Sequence, residues 1–345
     1  MSFGKSGLEV VLLSAVSKEQ PPQAVIYGLS GTELTDIEKS FFKEADPFGF
    51  ILFARNCESP SQVKSLTSSL NELMGRELPI LIDQEGGRVQ RLGPPHWPAY
   101  PPAHHFGDLF RRNFALGREE LYKSYKSLAL DLYDLGITVN CAPVLDVLTS
   151  DTHDIIGDRA YSSDAEVVAA LGSETCRALL DGGVLPVIKH IPGHGRATQD
   201  SHEILPVVSA SEEELRKSDF IPFKEMQRRP FSEAMWAMTA HVTYTALDER
   251  APATCSRRVI WDFIRDKLNF QGLLVSDDVS MQALKDYGGV EHRAEKVLRS
   301  GCDIALHCNG DMDEMQAIAK RMVPMTEKAV QRHNKAAAWI KRNLK

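Results

Sequence analysis

Short apolar runs alternate along this chain with longer stretches in which apolar residues recur every three or four positions. The runs lie at 25–29, 49–53, 79–83, 138–144, 184–190, 233–241, 272–277 and 303–307, and each ends in a polar or Gly/Pro-rich turn. Helical periodicity fills the gaps at about 33–45, 60–74, 109–135, 164–182, 212–229, 256–268 and 290–299, with a last stretch from about 312 to the end. Ser163-x-x-Glu166 and Ser211-x-x-Glu214 have the form of capping boxes opening two of these helices. Strand followed by helix, repeated eight times, predicts an α/β protein, a single (β/α)8 barrel of the TIM type. A doubly wound open sheet is the competing arrangement, but no glycine fingerprint follows the first run. No linker or low-complexity segment interrupts the pattern. Residues 25–345 are therefore expected to form one barrel domain with no second domain, after a lead segment at 1–24.

Composition narrows the function class. The 345 residues suit one barrel, and 43% hydrophobic and 25% charged residues are those of an ordinary soluble protein. A net charge of −7 argues against nucleic-acid and anionic-membrane partners. The six cysteines form no C-x-x-C pair and are read as reduced. No apolar run approaches the ~20 residues of a membrane span. The run at 8–16 contains Glu9 and makes a weak secretory core, so the cytoplasm is the default compartment.

The most informative stretch is V-I-K-H-I-P-G-H-G-R-A-T-Q-D-S-H at 187–202. Val187 and Ile188 end a buried strand, with Lys189 and His190 at its carboxyl end. Pro192, Gly193 and Gly195 then force an irregular loop carrying His194, Arg196, Asp200 and His202. Asp200 and His202 are two apart, so a bent backbone lets the carboxylate hold the imidazole, the arrangement of a general acid/base. A second motif, L-L-V-S-D-D-V-S-M at 273–281, sets Asp277 and Asp278 at a strand end. Neighbouring side chains point to opposite faces, so one acid aims into the barrel mouth and the other serves a backbone or loop. A pair of helix-capping acids is the plainer alternative. In I-D-Q-E-G-G-R-V-Q-R at 82–91, Gly86-Gly87 permits a turn returning Arg88 and Arg91 toward Asp83. A carboxylate beside a guanidinium suits vicinal sugar hydroxyls; a structural salt bridge is the alternative. Arg159, in I-G-D-R-A-Y, is similar in kind.

The barrel makes a demand of these residues: active-site groups belong at the carboxyl ends of several strands. Asp83 and Glu85 follow the third run, Asp146 the fourth, Lys189 and His190 the fifth, His241 the sixth, Asp277 and Asp278 the seventh. His190 and His194 have the spacing of a zincin helix, but Pro192 and Gly193 between them defeat a helix, so no metal is expected. His104-His105, after Pro101-Pro102, is assigned to a loop. Trp236, Trp261 and Trp339 are assigned to the core. No nucleophile elbow or P-loop occurs.

On these motifs the chain resembles glycoside hydrolase family 3, and within it the NagZ-type β-N-acetylglucosaminidases of peptidoglycan recycling. The resemblance runs from about 25 to 310 through D-Q-E-G-G-R-V-Q-R, G-D-R, K-H-x-P-G-H-G, D-S-H and S-D-D. It implies a barrel, no cofactor, and a retaining two-step mechanism. Asp277 would be the nucleophile, His202 the acid/base and Asp200 its partner. Asp83, Arg91, Arg159, Lys189 and His190 would bind a small-molecule sugar of the N-acetylglucosamine-anhydro-muropeptide type. Ile191, where an aromatic residue is common, and Arg196-Ala197 depart from the family's pattern and bear on loop packing. Charge then sets the expected chemistry. Asp277 attacks the anomeric carbon while cationic His202 protonates the leaving oxygen, and neutral His202 then activates water. A phosphorylase on the same scaffold and a non-catalytic sugar-binding protein are the alternatives; the aglycone and oligomeric state are left open. A Lys189→Ala variant is expected to lose ligand affinity and keep its melting temperature.

Overall fold

Eight strands, all parallel to their neighbours, close into a barrel in the computed structural model, which describes residues 13–344. In chain order the strands are Gln23–Gly28, Pro47–Leu52, Ile80–Ile82, Val139–Asn140, Leu185–Ile191, Trp236–Thr239, Leu274–Asp278 and Ile304–His307. The last strand pairs with the first, Ile26 opposite Leu306, and this closes the ring. Each strand packs on barrel interior and outer helices at once, which is why its sequence is an unbroken apolar run. The predicted strands are all present, but several are shorter than expected, the fourth and sixth most of all. The fourth spans only Val139–Asn140, because Pro143 has no N–H for the ladder. The sixth starts at Trp236, since Ser232–Ala234 forms a 3-10 turn.

The helices differ more from the expected boundaries, each time where a cap or a proline interrupts the period. The stretch at 109–135 is two helices, Ala103–Arg112 and Phe114–Asp134, divided at Asn113, whose side chain accepts the Leu116 N–H. His104 and His105 consequently lie in a first helical turn and not in a loop. The stretch at 212–229 divides into Glu212–Lys217 and Phe220–Met226. The C-terminal stretch divides around Pro324 into Met312–Ala319 and Glu327–Asn343. The capping box at Ser211 forms, with its hydroxyl accepting the Glu214 N–H. The box at Ser163 does not; Asp164 caps that helix instead. Arg258–Lys267 is a π-helix, which leaves Trp261 36% exposed rather than in the core. Trp236 is fully buried and Trp339 packs half-buried against the core.

Part of the lead segment is tied to the C-terminal helix. Asn334 bonds both the N–H and the carbonyl of Val16, at 2.8 and 3.0 Å. His333 Nε2 donates to the Ser14 carbonyl at 3.0 Å, and Leu13 is buried. The first part of the apolar run at 8–16 lies outside the described residues. Among the described residues no helix is long and apolar enough to cross a membrane.

Candidate active site

A cleft opens at the carboxyl ends of the strands, and five charged side chains form a continuous chain along one wall. Asp83 receives Lys189 Nζ at 2.8 Å and Arg91 Nη2 at 3.2 Å. Glu85 receives the same ammonium at 2.7 Å and both arms of Arg159 at 2.9 Å. The turn that brings Arg91 back needs glycine at both central positions: Gly86 and Gly87 have φ of 95° and 58°. A Cβ on Gly86 would also stand 2.3 Å from the Pro101 carbonyl oxygen. Burial works against ionising Asp83 and Glu85, but their cations outweigh it. Lys189 and Arg91 hold Asp83 well below the usual carboxylate range, and Arg159 and Lys189 hold Glu85 at about 2. Lys189, in turn, is held charged despite burial by its two carboxylates. Arg88 does not join this chain. It borders the cleft but bonds Asp158 at 2.8 Å and the backbone carbonyls of Asp154 and Ile156.

His190, on the fifth strand, is clamped by a residue that the sequence marked only as a strand-end charge. Its Nδ1 lies 2.7 Å from Asp146 Oδ2, so Nδ1–H donates to the carboxylate and Nε2 is left for the cleft. Asp146 Oδ1 accepts the backbone N–H groups of His190 and His194 at 3.2 and 2.6 Å. Burial raises the Asp146 carboxyl, yet His190 and these bonds leave it at about 2. His194 is buried beside it and pushed down to about 4 by burial and by His190, so it is neutral at pH 7.

The loop after the fifth strand is fixed at its stem and solvent-facing at its tip. Tyr244 donates to the Gly193 carbonyl at 2.6 Å, Thr152 to that of Gly195 at 2.5 Å, and Arg196 Nε to Asp219 at 2.7 Å. Gly195 has no substitute, since a Cβ there would lie 1.9 Å from the Val147 carbonyl oxygen. At the tip, Asp200 Oδ1 accepts both the backbone N–H and Nδ1–H of His202, each at 2.8 Å. This is the bent backbone that the two-residue spacing required. The His202 side chain is 60% exposed, and the cleft it borders is also lined by Asp277.

The two acids that end the seventh strand part as alternation demands. Asp278 turns away to Ser280 and to the Cys308 N–H. Asp277 lines the cleft, its Oδ1 accepting the Asp278 N–H at 2.8 Å, and among the described residues its Oδ2 has no hydrogen-bond partner. Burial raises the Asp277 carboxyl, but the positive charge that His241 and His190 carry in acid, together with that N–H, outweighs it and holds the carboxyl below its ordinary value.

An ionised carboxylate and an imidazole face one cleft that is walled by paired charges at the top of a parallel barrel. Residues 27–341 match the glycosyl hydrolase family 3 N-terminal domain. The chain belongs to that family. It is a glycosidase fold of the NagZ type. A β-hexosaminidase of Nitrosomonas eutropha is 38% identical over 281 residues, 81% of this chain and 79% of that one. NagZ from Neisseria gonorrhoeae, solved in complex with N-trifluoroacetyl-D-glucosamine, superposes with a TM-score of 0.84 at 30% identity, covering 93% of both chains. A family 3 β-N-acetylglucosaminidase from Paenibacillus superposes at 0.82 with 31% identity over 93% of this chain, which spans 61% of that enzyme's length. Within this family 3 barrel, every residue singled out from the sequence as a site residue lies in or beside the one cleft: Asp83, Arg91, Arg159, Lys189, His190, Asp200, His202 and Asp277. Sequence reading gave no role to Glu85, Asp146 or His194, though their positions at strand ends and in the loop carried the signal. Ile191 is buried in its strand, and Arg196-Ala197 fastens the loop stem.

Proposed function

We propose that this glycosidase is a retaining exo-β-N-acetylglucosaminidase that removes terminal N-acetylglucosamine from peptidoglycan-derived muropeptides in the cytoplasm. The single observation that carries the reading is the facing pair in the cleft, an ionised Asp277 with a free Oδ2 and an outward Nε2 on His202. In the first step Asp277 Oδ2 attacks the anomeric carbon. His202, as imidazolium stabilised by Asp200, gives its Nε2 proton to the leaving oxygen. In the second step neutral His202 takes a proton from water, which displaces Asp277 and releases the sugar with its β configuration kept. Asp83, Arg91, Arg159, Lys189 and His190 hold the sugar, with acceptors and donors alternating along the wall. The ligand of the Neisseria relative's complex, an N-acylated glucosamine, supports this sugar class. Hydrolysis of an aryl β-N-acetylglucosaminide, little turnover of the matching β-glucoside, and an initial β-anomer by NMR are the expected results. An initial α-anomer, or sugar-1-phosphate as the main product in phosphate buffer, would refute it.

A further inference from the structure

His241 follows the sixth strand, is fully buried, and has no part in the scheme above. Its Nε2 lies 2.9 Å from the backbone carbonyl oxygen of Asp278. A carbonyl only accepts, so Nε2 carries the proton. Its Nδ1 lies 2.9 Å from Thr254 Oγ1, which lies 2.8 Å from Thr239 Oγ1. Burial pushes the His241 imidazole below its ordinary value, as a neutral ring requires. With the ring neutral, Nε2–H donates to Asp278 and Nδ1 accepts. The Thr254 hydroxyl, which Thr239 can supply with a hydrogen bond, shares its own hydrogen between Nδ1 at 2.9 Å and the Ala240 carbonyl at 3.0 Å. All three side chains are fully buried: Thr239 ends the sixth strand, His241 follows it and alone of the three bonds the carbonyl, and Thr254 lies in the turn Ala253–Cys255.

The residue they hold is the one whose amide orients the cleft carboxylate. The Asp278 N–H donates to Asp277 Oδ1, its carboxylate is committed to Ser280 and Cys308, and the Val279 N–H is bonded to the Leu306 carbonyl. The Asp278 carbonyl accepts the Met281 N–H at 3.2 Å, and His241 Nε2, at 2.9 Å, is the side chain that holds it.

We infer that His241 is a positioning residue for Asp277, with its Nε2–H tautomer set by the Thr239–Thr254 hydroxyl pair. Resting on the reading of Asp277 as nucleophile, it explains why an imidazole and two hydroxyls are buried where apolar side chains would fill the barrel equally well. Losing the bond lets the strand end shift, and a misplacement of about 1 Å costs on the order of 100-fold in rate.

The test uses the full-length enzyme and a poor-leaving-group glycoside. His241→Leu is expected to lower kcat about 100-fold and to slow fluorosugar labelling of Asp277 in step, with inhibition by an N-acetylglucosamine-like competitor changed less than threefold. His241→Gln, whose amide can donate to the same carbonyl, recovers at least tenfold of the loss. Thr254→Val leaves the ring in place but frees its tautomer, and is expected to lower kcat about tenfold, with Thr254→Ser restoring it. That pair decides the matter should His241→Leu fail to fold. Unchanged kcat in Thr254→Val, or loss of inhibitor binding in parallel with kcat, overturns the inference. A wild-type label that maps away from Asp277 overturns the underlying reading instead.

Discussion

Lys189 illustrates how far a single buried charge can be read from sequence, and where the reading stops. Its place at a strand end marks it for sugar binding, and the expected Lys189→Ala phenotype is lost affinity at unchanged stability. The structure changes that expectation. Lys189 is 2% exposed and its ammonium bridges Asp83 and Glu85, so its removal leaves the two carboxylates without the cation between them, each with a single arginine, Arg91 or Arg159, to balance it. Lys189→Ala is therefore expected to lose about 3–5 kcal/mol of stability as well as inhibitor affinity, measured by urea unfolding and calorimetry. A loss below about 1 kcal/mol would mean that water replaces the ammonium. His202 behaves differently, because its side chain is exposed and bonded only to Asp200 of its own loop. His202→Ala is expected to keep its melting temperature and to lose activity by two to four orders of magnitude more on alkyl or sugar leaving groups than on nitrophenyl ones, which need little protonation. Asp200→Asn acts in the same direction and more weakly. Equal losses on both substrate types would place the acid elsewhere.

At the scale of elements, the loop from Gly193 to His202 separates anchoring from chemistry. Arg196 is four residues from Asp200 and faces away from the cleft, into a bond with buried Asp219. Removing the guanidinium strands the Asp219 carboxylate, which burial already pushes up. Arg196→Ala is expected to lower kcat about tenfold through a misplaced His202, with inhibitor affinity nearly kept and loop amides exchanging faster with deuterium. Intact kcat would show that the tip holds itself. Here too the limits of the sequence are physical. Strand positions were legible because burial on both faces writes an unbroken apolar run. Helix divisions at Asn113 and near Pro324 were not, because the amphipathic period continues across them. The direction of Arg88 was likewise hidden, since two guanidinium groups three residues apart have equal reach and only the distant Asp158 selects one. Asp146 was visible as a charge, but its pairing with His190 spans 44 positions and depends on barrel closure.

For the whole molecule, acid stability integrates these buried groups. His194 and His333 have folded values of about 4, below the ~6.5 of an unfolded chain, so unfolding takes up protons between those limits. Their contribution is complete above about pH 6.5 and is lost as pH falls toward 4, at up to about 3 kcal/mol each. Glu85 and Asp146, held at about 2, contribute fully above the unfolded carboxylate range and lose that contribution as pH falls from about 4 toward 2. Urea midpoints are expected to fall in two stages. His333→Leu should flatten the upper one, because that ring is packed at 5.0 Å against Phe48 and tied to Ser14 of the lead segment. A midpoint that holds level from pH 6.5 to 4 would show that these rings are protonated in the folded state.

The proposed retaining chemistry rests on one carboxylate oxygen, Asp277 Oδ2, which among the described residues has no hydrogen-bond partner while Oδ1 is held by the Asp278 N–H. The most direct measurement is intact-mass and peptide-mapping analysis after reaction with a slow 5-fluoro N-acetylglucosaminyl fluoride. The account predicts one added sugar per chain, located on Asp277 and discharged when an acceptor is supplied. Labelling at Asp278 or no covalent adduct alongside steady turnover would contradict it.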